Sequence, residues 1–409
     1  MNTEPPGNLS PDRPPSGVVG AGALAAGGSA YALRDILATA GDREPGKILV
    51  LVTLYGGNDG LNTVIPYTDP AYAAARPGLA YDEGQVLALE DGAGLNPGLK
   101  GLHKLYGDQR LAVVRGVGYP KPDRSHFRSM DIWQTAAPER PGTTGWLGRW
   151  LDTAGGDPRL AFSFEPVLPP LLAGATSAGA TVPGGALTLP KGVTKPVLDG
   201  FGTAAAGESP AQARAAACFA DLVRVQGLMT DVAAEAEEDD AEGQATATGG
   251  QAPPLDQQLA LVARCVEAGA ATRVYSVSLG GFDLHADEKA AQEALLTKLD
   301  KPLAAFVERM AGTEAGRDVV VAVYSEFGRR VKANASDGTD HGTASNVLLL
   351  GAGIKGGLYG EAPSLTDLDD GDLRHTVDFR DVYAMLLADV LDAEPERILD
   401  GWRGRLTFS

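Results

Sequence analysis

The run KILVLVTLYGG, Lys47 to Gly57, decides the fold. Its apolarity is continuous rather than alternating, which marks a strand covered on both faces, and the glycine pair that follows marks the strand's end. The same signature recurs in LAVVRGVG (Leu111 to Gly118), RVYSVSLGG (Arg273 to Gly281), VVVAVYSEFG (Val319 to Gly328) and NVLLLGAG (Asn346 to Gly353). Between these runs lie stretches such as HADEKAAQEALLTKLDKPLAAFVERMAG, whose Ala, Leu, Glu and Lys content and spaced apolar residues suit amphipathic helices. Strand alternating with helix predicts an α/β fold, a three-layer sandwich with a mostly parallel central sheet.

The chain of 409 residues, 44% hydrophobic and 22% charged, is long enough for a sizeable core. Residues 47–409 are expected to form one domain. Residues 1–46 read as a separate signal-like or flexible segment: a Pro-rich lead, then a small-residue apolar run from Val18 to Ala32 that is too short to span a bilayer. The acidic, then Gly/Thr/Ala-rich stretch at about 234–254 has no apolar periodicity and is expected to be a disordered insertion. Residues from about 163 to 207, rich in Pro, Gly, Ala and Thr, read as an irregular cap. With 53 acidic against 35 basic side chains and a net charge of -18, the chain repels nucleic acid and anionic membrane surfaces. Cys218 and Cys265 lack CxxC spacing and sit in Ala-rich helical stretches, where buried structural thiols are expected.

In open α/β sheets, ligands bind beyond the carboxyl ends of the strands. The segments that follow the predicted strands carry Asp59 and Asn62; then Asp123, Ser125 and His126; then Asp283 and His285; then Glu326, Arg329, Asp340 and His341. Three of the chain's five histidines therefore fall in these loops, each with a carboxylate nearby. Asp283, His285 and His341 make a carboxylate and two-imidazole set suited to a divalent metal such as zinc or manganese. Such a metal polarises a phosphoryl or sulfuryl oxygen and activates an attacking hydroxyl or water. Each residue also has a plainer role. Asp59 and Asp283 suit turn chemistry, Ser125 and Asp123 suit helix capping, and Glu326 with Arg329 suits an ion pair. His341, in the polar loop DGTDHGTAS, has the least to pack against.

The segments LYGGNDGLNTVIPY, GVGYPKPDRSHFRSMDIWQT, LGGFDLHADE, YSEFGRRVKANASDGTDHGTASNVLLLG and DFRDVYAMLLADVL together resemble the bacterial DUF1501 family from about Lys47 to the C-terminus. That family is similar in turn to the alkaline phosphatase and sulfatase superfamily. The resemblance implies an alkaline phosphatase-like fold and a metal-dependent hydrolase acting on a small anionic phosphate or sulfate ester. By this analogy the metal ligands are Asp283, His285 and His341, with Asp59 and Glu326 holding a second cation or orienting the nucleophile. Ser125 is the implied nucleophile, His126 a general acid or oxyanion donor, and Arg329 a clamp for the substrate anion. Phe327 stands where the superfamily often has a metal-binding histidine, so the second site is oxygen-rich; zinc leads for the first, with calcium, magnesium or manganese as alternatives. Two other classes share the fold: a noncatalytic exported binding protein, and a biosynthetic transferase. The stretch RPPSGVVGAGALAAGGSAYALRD resembles a twin-arginine export signal without its arginine pair. Export to the periplasm, the cell surface or the medium is the expectation, with the cytoplasm the alternative that the missing pair leaves.

Overall fold

A computed structural model describes residues 46–165, 167–181 and 251–408, together with the backbone of the short strands Ser29–Ala30 and Gln244–Ala245. The signal-like segment, Cys218 and most of the acidic insertion fall outside the described side chains. The centre is a sheet of ten described strands. Those that matter here are β1 (Ile48–Leu54), β2 (Leu111–Gly118), β3 (Ala161–Ser163), β4 (Ala180–Thr181), β5 (Val274–Leu279), β6 (Val319–Ser325), β7 (Ser345–Leu350), β8 (Gly357–Tyr359) and β9 (Val377–Asp378).

Across the sheet the order is Ser29–Ala30, β4, β3, β5, β1, β6, β7, β2, β8, with β9 also pairing β2. Every pairing is parallel except the two made by β7, which runs antiparallel between β6 and β2. The chain thus folds as an α/β protein with a mostly parallel sheet. The segment expected to be an irregular cap begins at the end of β3 and supplies β4, as well as a short 3-10 turn at Pro170–Leu172.

The continuous apolarity of β1 has a direct packing cause. Ile48, Val50, Val52 and Leu54 point into one core with helices α1 (Lys100–Gly107), α4 (Leu255–Glu267) and α5 (Glu288–Ala311). Leu49 and Leu51 point into the opposite core with α2 (His126–Thr135), α3 (Trp146–Thr153) and α6 (Phe379–Asp389). Period-two alternation in a strand sends neighbours to opposite faces, so both parities must be apolar when both faces are covered. Each such side chain is worth about 1.5–3 kcal/mol when fully buried, which makes the three layers mutually dependent. Cys265 belongs to the first core as a free, buried thiol pushed up to about 12 by desolvation, in line with a structural role.

The topology brings the carboxyl ends of β1, β5, β6 and β2 to one edge of the sheet. There the loops close on one another through glycine. Gly56 and Gly57 both have positive φ, and a Cβ on Gly57 would come 2.2 Å from the Phe327 ring. A Cβ on Gly56 would come 2.5 Å from the Asp283 amide, so the pair after β1 is what lets the β5 and β6 loops approach.

Candidate metal centre

The loop after β5 turns at Gly281 (φ 102°) and drives Phe282 into the core, which leaves Asp283 and His285 at the surface. The connection from β6 to β7 is a ribbon held by Gly328 N to Thr343 O (2.8 Å) and Gly342 N to Gly328 O (2.9 Å), with a bridge between Arg329 and His341. That ribbon is tied to the β5 loop. Asn334 Nδ2 donates to His285 O (3.0 Å), and the amides of Asp287 and Glu288 donate to the carbonyls of Ser336 and Asp337. The helix α2 supplies the third wall, with His126 as its first residue.

Three imidazoles converge on one carboxylate oxygen. Asp283 Oδ1 lies 2.9 Å from His285 Nε2, 3.1 Å from His341 Nε2 and 3.3 Å from His126 Nε2. His341 is central, its Nε2 lying 3.0 Å from that of His126 and 3.1 Å from that of His285. The ligand atoms of His126, Asp283 and His341 all lie within 4.8 Å of one another.

The far side of each ring explains the convergence. His126 Nδ1 faces Glu326 Oε1 at 2.9 Å, His341 Nδ1 faces the carbonyl of Arg124 at 2.8 Å, and His285 Nδ1 faces Asp340 Oδ1 at 3.6 Å. A carbonyl or ionised carboxylate only accepts, so a proton on Nδ1 in His341 and His126 serves those acceptors and leaves the Nε2 lone pairs for a cation, whereas with no cation Asp283 Oδ1 calls for a proton at Nε2. Two lone pairs at 3.0 Å repel unless a cation or a shared proton stands between them. His126 Nε2, His341 Nε2 and Asp283 Oδ1 form a three-donor set of the zinc type, for which ligands at 2.0–2.1 Å give edges of about 3.3 Å, while His285 stands beside Asp283 and His341 outside that group. The residues present fit such an ion.

Electrostatics are arranged to match. Burial works against ionisation of Asp283, but hydrogen bonds from Arg329 and His341 and the Arg329 charge outweigh it and hold its carboxyl well below the usual range. The hydrogen bond to Glu326 raises the basicity of His126 against the opposing effect of its partial burial. Glu326 is itself fixed by Gly56 N (2.9 Å) and Ser325 Oγ (2.9 Å).

Several sequence-based roles are corrected here. Asp59 is not at this cluster. Its carboxylate is buried against the Arg76 guanidinium and accepts from Leu61 N, as the cap of a short turn. Glu326 is spent on His126, Gly56 and Ser325, so the expected second cation between Asp59 and Glu326 has no pair of free carboxylates. Arg329 is not an open anion clamp: it is 2% exposed and donates to the carbonyls of Gly56, Gly57, Phe282 and Thr339 as well as to Asp283. Its position beneath Asp283 is structural, because a buried guanidinium must fill its donors. His126 stands in the cluster with Asp283 and His341. Phe327 is buried and packs against the rings of both His126 and His341, at 4.9 and 5.0 Å between centroids. Ser125 occupies the N-cap position of α2, yet its side chain makes no capping bond; its amide is taken by Asp123 Oδ1 at 2.8 Å, and the residue is exposed.

Sequence reading missed the Arg124 carbonyl, which has no side-chain signature; it placed Asp340 beside His341 but gave it no role. Next to the cluster opens a cleft of about 610 Å³, whose lining includes Lys121, Asp123, Arg124, Phe327, Arg374 and His375.

The family model described as "Protein of unknown function (DUF1501)" matches residues 199–406. No curated protein matches the chain. Among solved structures, a protein in the alkaline phosphatase superfamily from Vibrio parahaemolyticus is similar at 9% identity over 92% of this chain and 71% of that one, with a TM-score of 0.41. A phosphonate monoester hydrolase from Silicibacter pomeroyi is similar at 11% identity over 89% and 78%, with a TM-score of 0.36. The C-terminal periplasmic domain of EcEptC from Escherichia coli, in complex with Zn, is similar at 11% identity over 89% of each chain, with a TM-score of 0.37. Likeness at this level carries no residue assignment to the present chain.

Proposed function

The chain belongs to the DUF1501 family, whose name assigns no chemistry, and we propose that it is a metal-dependent hydrolase of small phosphate or sulfate esters, with His126, Asp283 and His341 around one zinc ion and His285 beside them. The observation that carries this reading is the meeting of three imidazole Nε2 atoms at Asp283 Oδ1 while each Nδ1 faces an oxygen acceptor. A zinc ion held there would supply Lewis acidity at the ester and favour the ionised form of an attacking hydroxyl.

The chain's own residues do the rest. Ser125 Oγ, exposed and unused as a cap at the amino end of a ten-residue helix, is the nucleophile of this proposal. The α2 dipole and first-turn amides favour an anion at that end. Lys121 lines the adjoining cleft, where Arg124 is paired with Asp370 and Asp372. Glu326 acts through His126, holding its ring and tautomer. Among the described residues no helix is long and apolar enough to cross a membrane. Export remains part of the proposal on the signal-like composition of the N-terminal segment.

The test is metal analysis of protein purified without chelator, followed by turnover of aryl phosphate, phosphonate and sulfate esters. About one zinc per chain is expected, with turnover lost to chelator and restored by zinc. Protein without a stoichiometric divalent ion and without turnover sinks the reading; stoichiometric metal without turnover of any ester would favour the noncatalytic binding protein. A narrower outcome concerns Glu326→Gln. Replacing the carboxylate by an amide keeps the shape but removes the charge behind His126, and loss of such an outer partner costs about 10–100-fold in metal affinity. Competition with a chromogenic zinc chelator measures it, and unchanged affinity would remove Glu326 from the site.

A further inference from the structure

A buried cluster of Asp59, Arg76 and Glu288 grips the ribbon that carries His341 on both of its arms. On the outgoing arm Arg76 donates to the carbonyls of Arg330 (2.7 Å) and Val331 (2.9 Å). On the returning arm Glu288 Oε2 accepts from Thr339 Oγ1 at 2.7 Å, two residues before His341. Asp59 joins the two holds through its ion pair with Arg76 and its hydrogen bond with Glu288.

The same junction holds the loop that carries His285. Glu288 is the first residue of α5, and its amide donates to the Asp337 carbonyl at 2.9 Å, beside the bond from Asp287 N to Ser336 O at 3.1 Å. Asp287 (φ 47°) and Asp337 (φ 53°) are both left-handed, a conformation that aspartate tolerates better than most side chains. A Cβ on Gly338 would come 2.2 Å from the His285 carbonyl carbon, so ribbon and loop are in direct contact there. Thr339 itself is fully buried. Its carbonyl accepts from Arg329 at 3.1 Å and its amide reaches Leu284 O only at 3.5 Å, so the bond from its hydroxyl to Glu288 is the shortest of its three ties.

We propose that Thr339 and Glu288 are positioning residues of the metal centre: their bond seats the returning arm and thereby aims the His341 imidazole at Asp283. The inference rests on His341 being a ligand of the proposed site. A ligand ring has to be held within about half an ångström of its working place, and locked supporting side chains do that. Neither residue touches the ion or the substrate.

The test compares Thr339→Val with Thr339→Ser in the full chain. Zinc affinity is read by competition with a chromogenic chelator, the imidazole nitrogens by NMR of metal-free protein, and the thermal midpoint beside both. Thr339→Val removes the donor at nearly constant shape and is expected to weaken zinc by about 10–100-fold, the range for an outer partner, and to shift the His341 ring signals. Thr339→Ser keeps the hydroxyl and is expected to stay within about threefold of the parent, well inside that range. Thr339→Ala carries the same expectation as valine should valine prevent folding. Ile48→Val, a core truncation at the amino end of β1, is expected to lower the midpoint without moving either of the other readouts. Unchanged zinc affinity and unchanged ring signals in Thr339→Val overturn the proposal whatever its midpoint, as does a serine variant as weak as the valine one. A parent chain that binds no zinc counts against the hydrolase reading, and the ring signals of the metal-free protein then decide the positioning by themselves.

Discussion

Replacing His341 by alanine is expected to strip the divalent ion from the protein and to lower ester turnover by at least about 100-fold, beyond the range set by loss of an outer partner. The reason is its position. Its Nε2 lies 3.0 Å from His126 Nε2, 3.1 Å from His285 Nε2 and 3.1 Å from Asp283 Oδ1, so it is the one ring that touches every other member of the cluster. Without it, His126 and His285 face each other across a gap that Asp283 alone spans. The fold should survive, because the side chain is one-quarter exposed and its ribbon is held by backbone bonds between Gly328, Thr343 and Gly342. Metal content by mass spectrometry and turnover of an aryl ester, beside an unchanged thermal midpoint, check the expectation. Full metal occupancy in His341→Ala would refute the ligand set.

Arg76→Met is expected to destabilise the fold by about 3–5 kcal/mol, the usual cost of removing one partner of a buried ion pair. Arg76 is fully buried. Its guanidinium pairs with Asp59, while Nε donates to Val331 O at 2.9 Å and Nη2 to Arg330 O at 2.7 Å. Methionine preserves much of the stem but takes the guanidinium from Asp59 Oδ2 and from the Val331 and Arg330 carbonyls. Urea unfolding, with the midpoint compared at constant slope, gives the number; a loss below about 1 kcal/mol would show that the pair is replaceable.

The same cluster makes stability depend on pH. Glu288 is buried at the start of α5, accepts from Thr339 Oγ1 at 2.7 Å, and has its carboxyl pushed up to about 8, first by burial and then by the charge of Asp59. An acid with a raised folded-state pKa stays protonated in the fold while the unfolded chain ionises. Its contribution is therefore complete below about 4.5, the ordinary glutamate value, and is lost as pH rises toward 8. Glu288→Gln should flatten that window in urea titrations across pH; an unaltered slope would assign it elsewhere.

Much of the architecture was legible because a two-sided sheet leaves a one-dimensional record. Ile48 to Leu54 must be apolar at both parities, and each such run ends at the edge where the loops gather. The histidines of the cluster were legible as a group for a related reason. His126, His285 and His341 are rare residues in polar loops after predicted strands, where packing gives little reason for an imidazole, although the sequence read His126 as an acid and not with the ligand pair.

The division among the acids was not legible. Asp59, Asp283 and Glu326 all follow strands and all look alike in the chain, yet one is neutralised by Arg76, one faces three imidazoles, and one stands behind His126. Arg329 looks like an anion clamp until its donors are seen to end on four backbone carbonyls. Periodicity and composition are local, and they determine which residues reach the sheet edge. Whether a charge arriving there meets a guanidinium, a carbonyl or an imidazole depends on side chains up to a few hundred positions away, and that pairing exists only once the β1, β2, β5 and β6 loops have closed on one another.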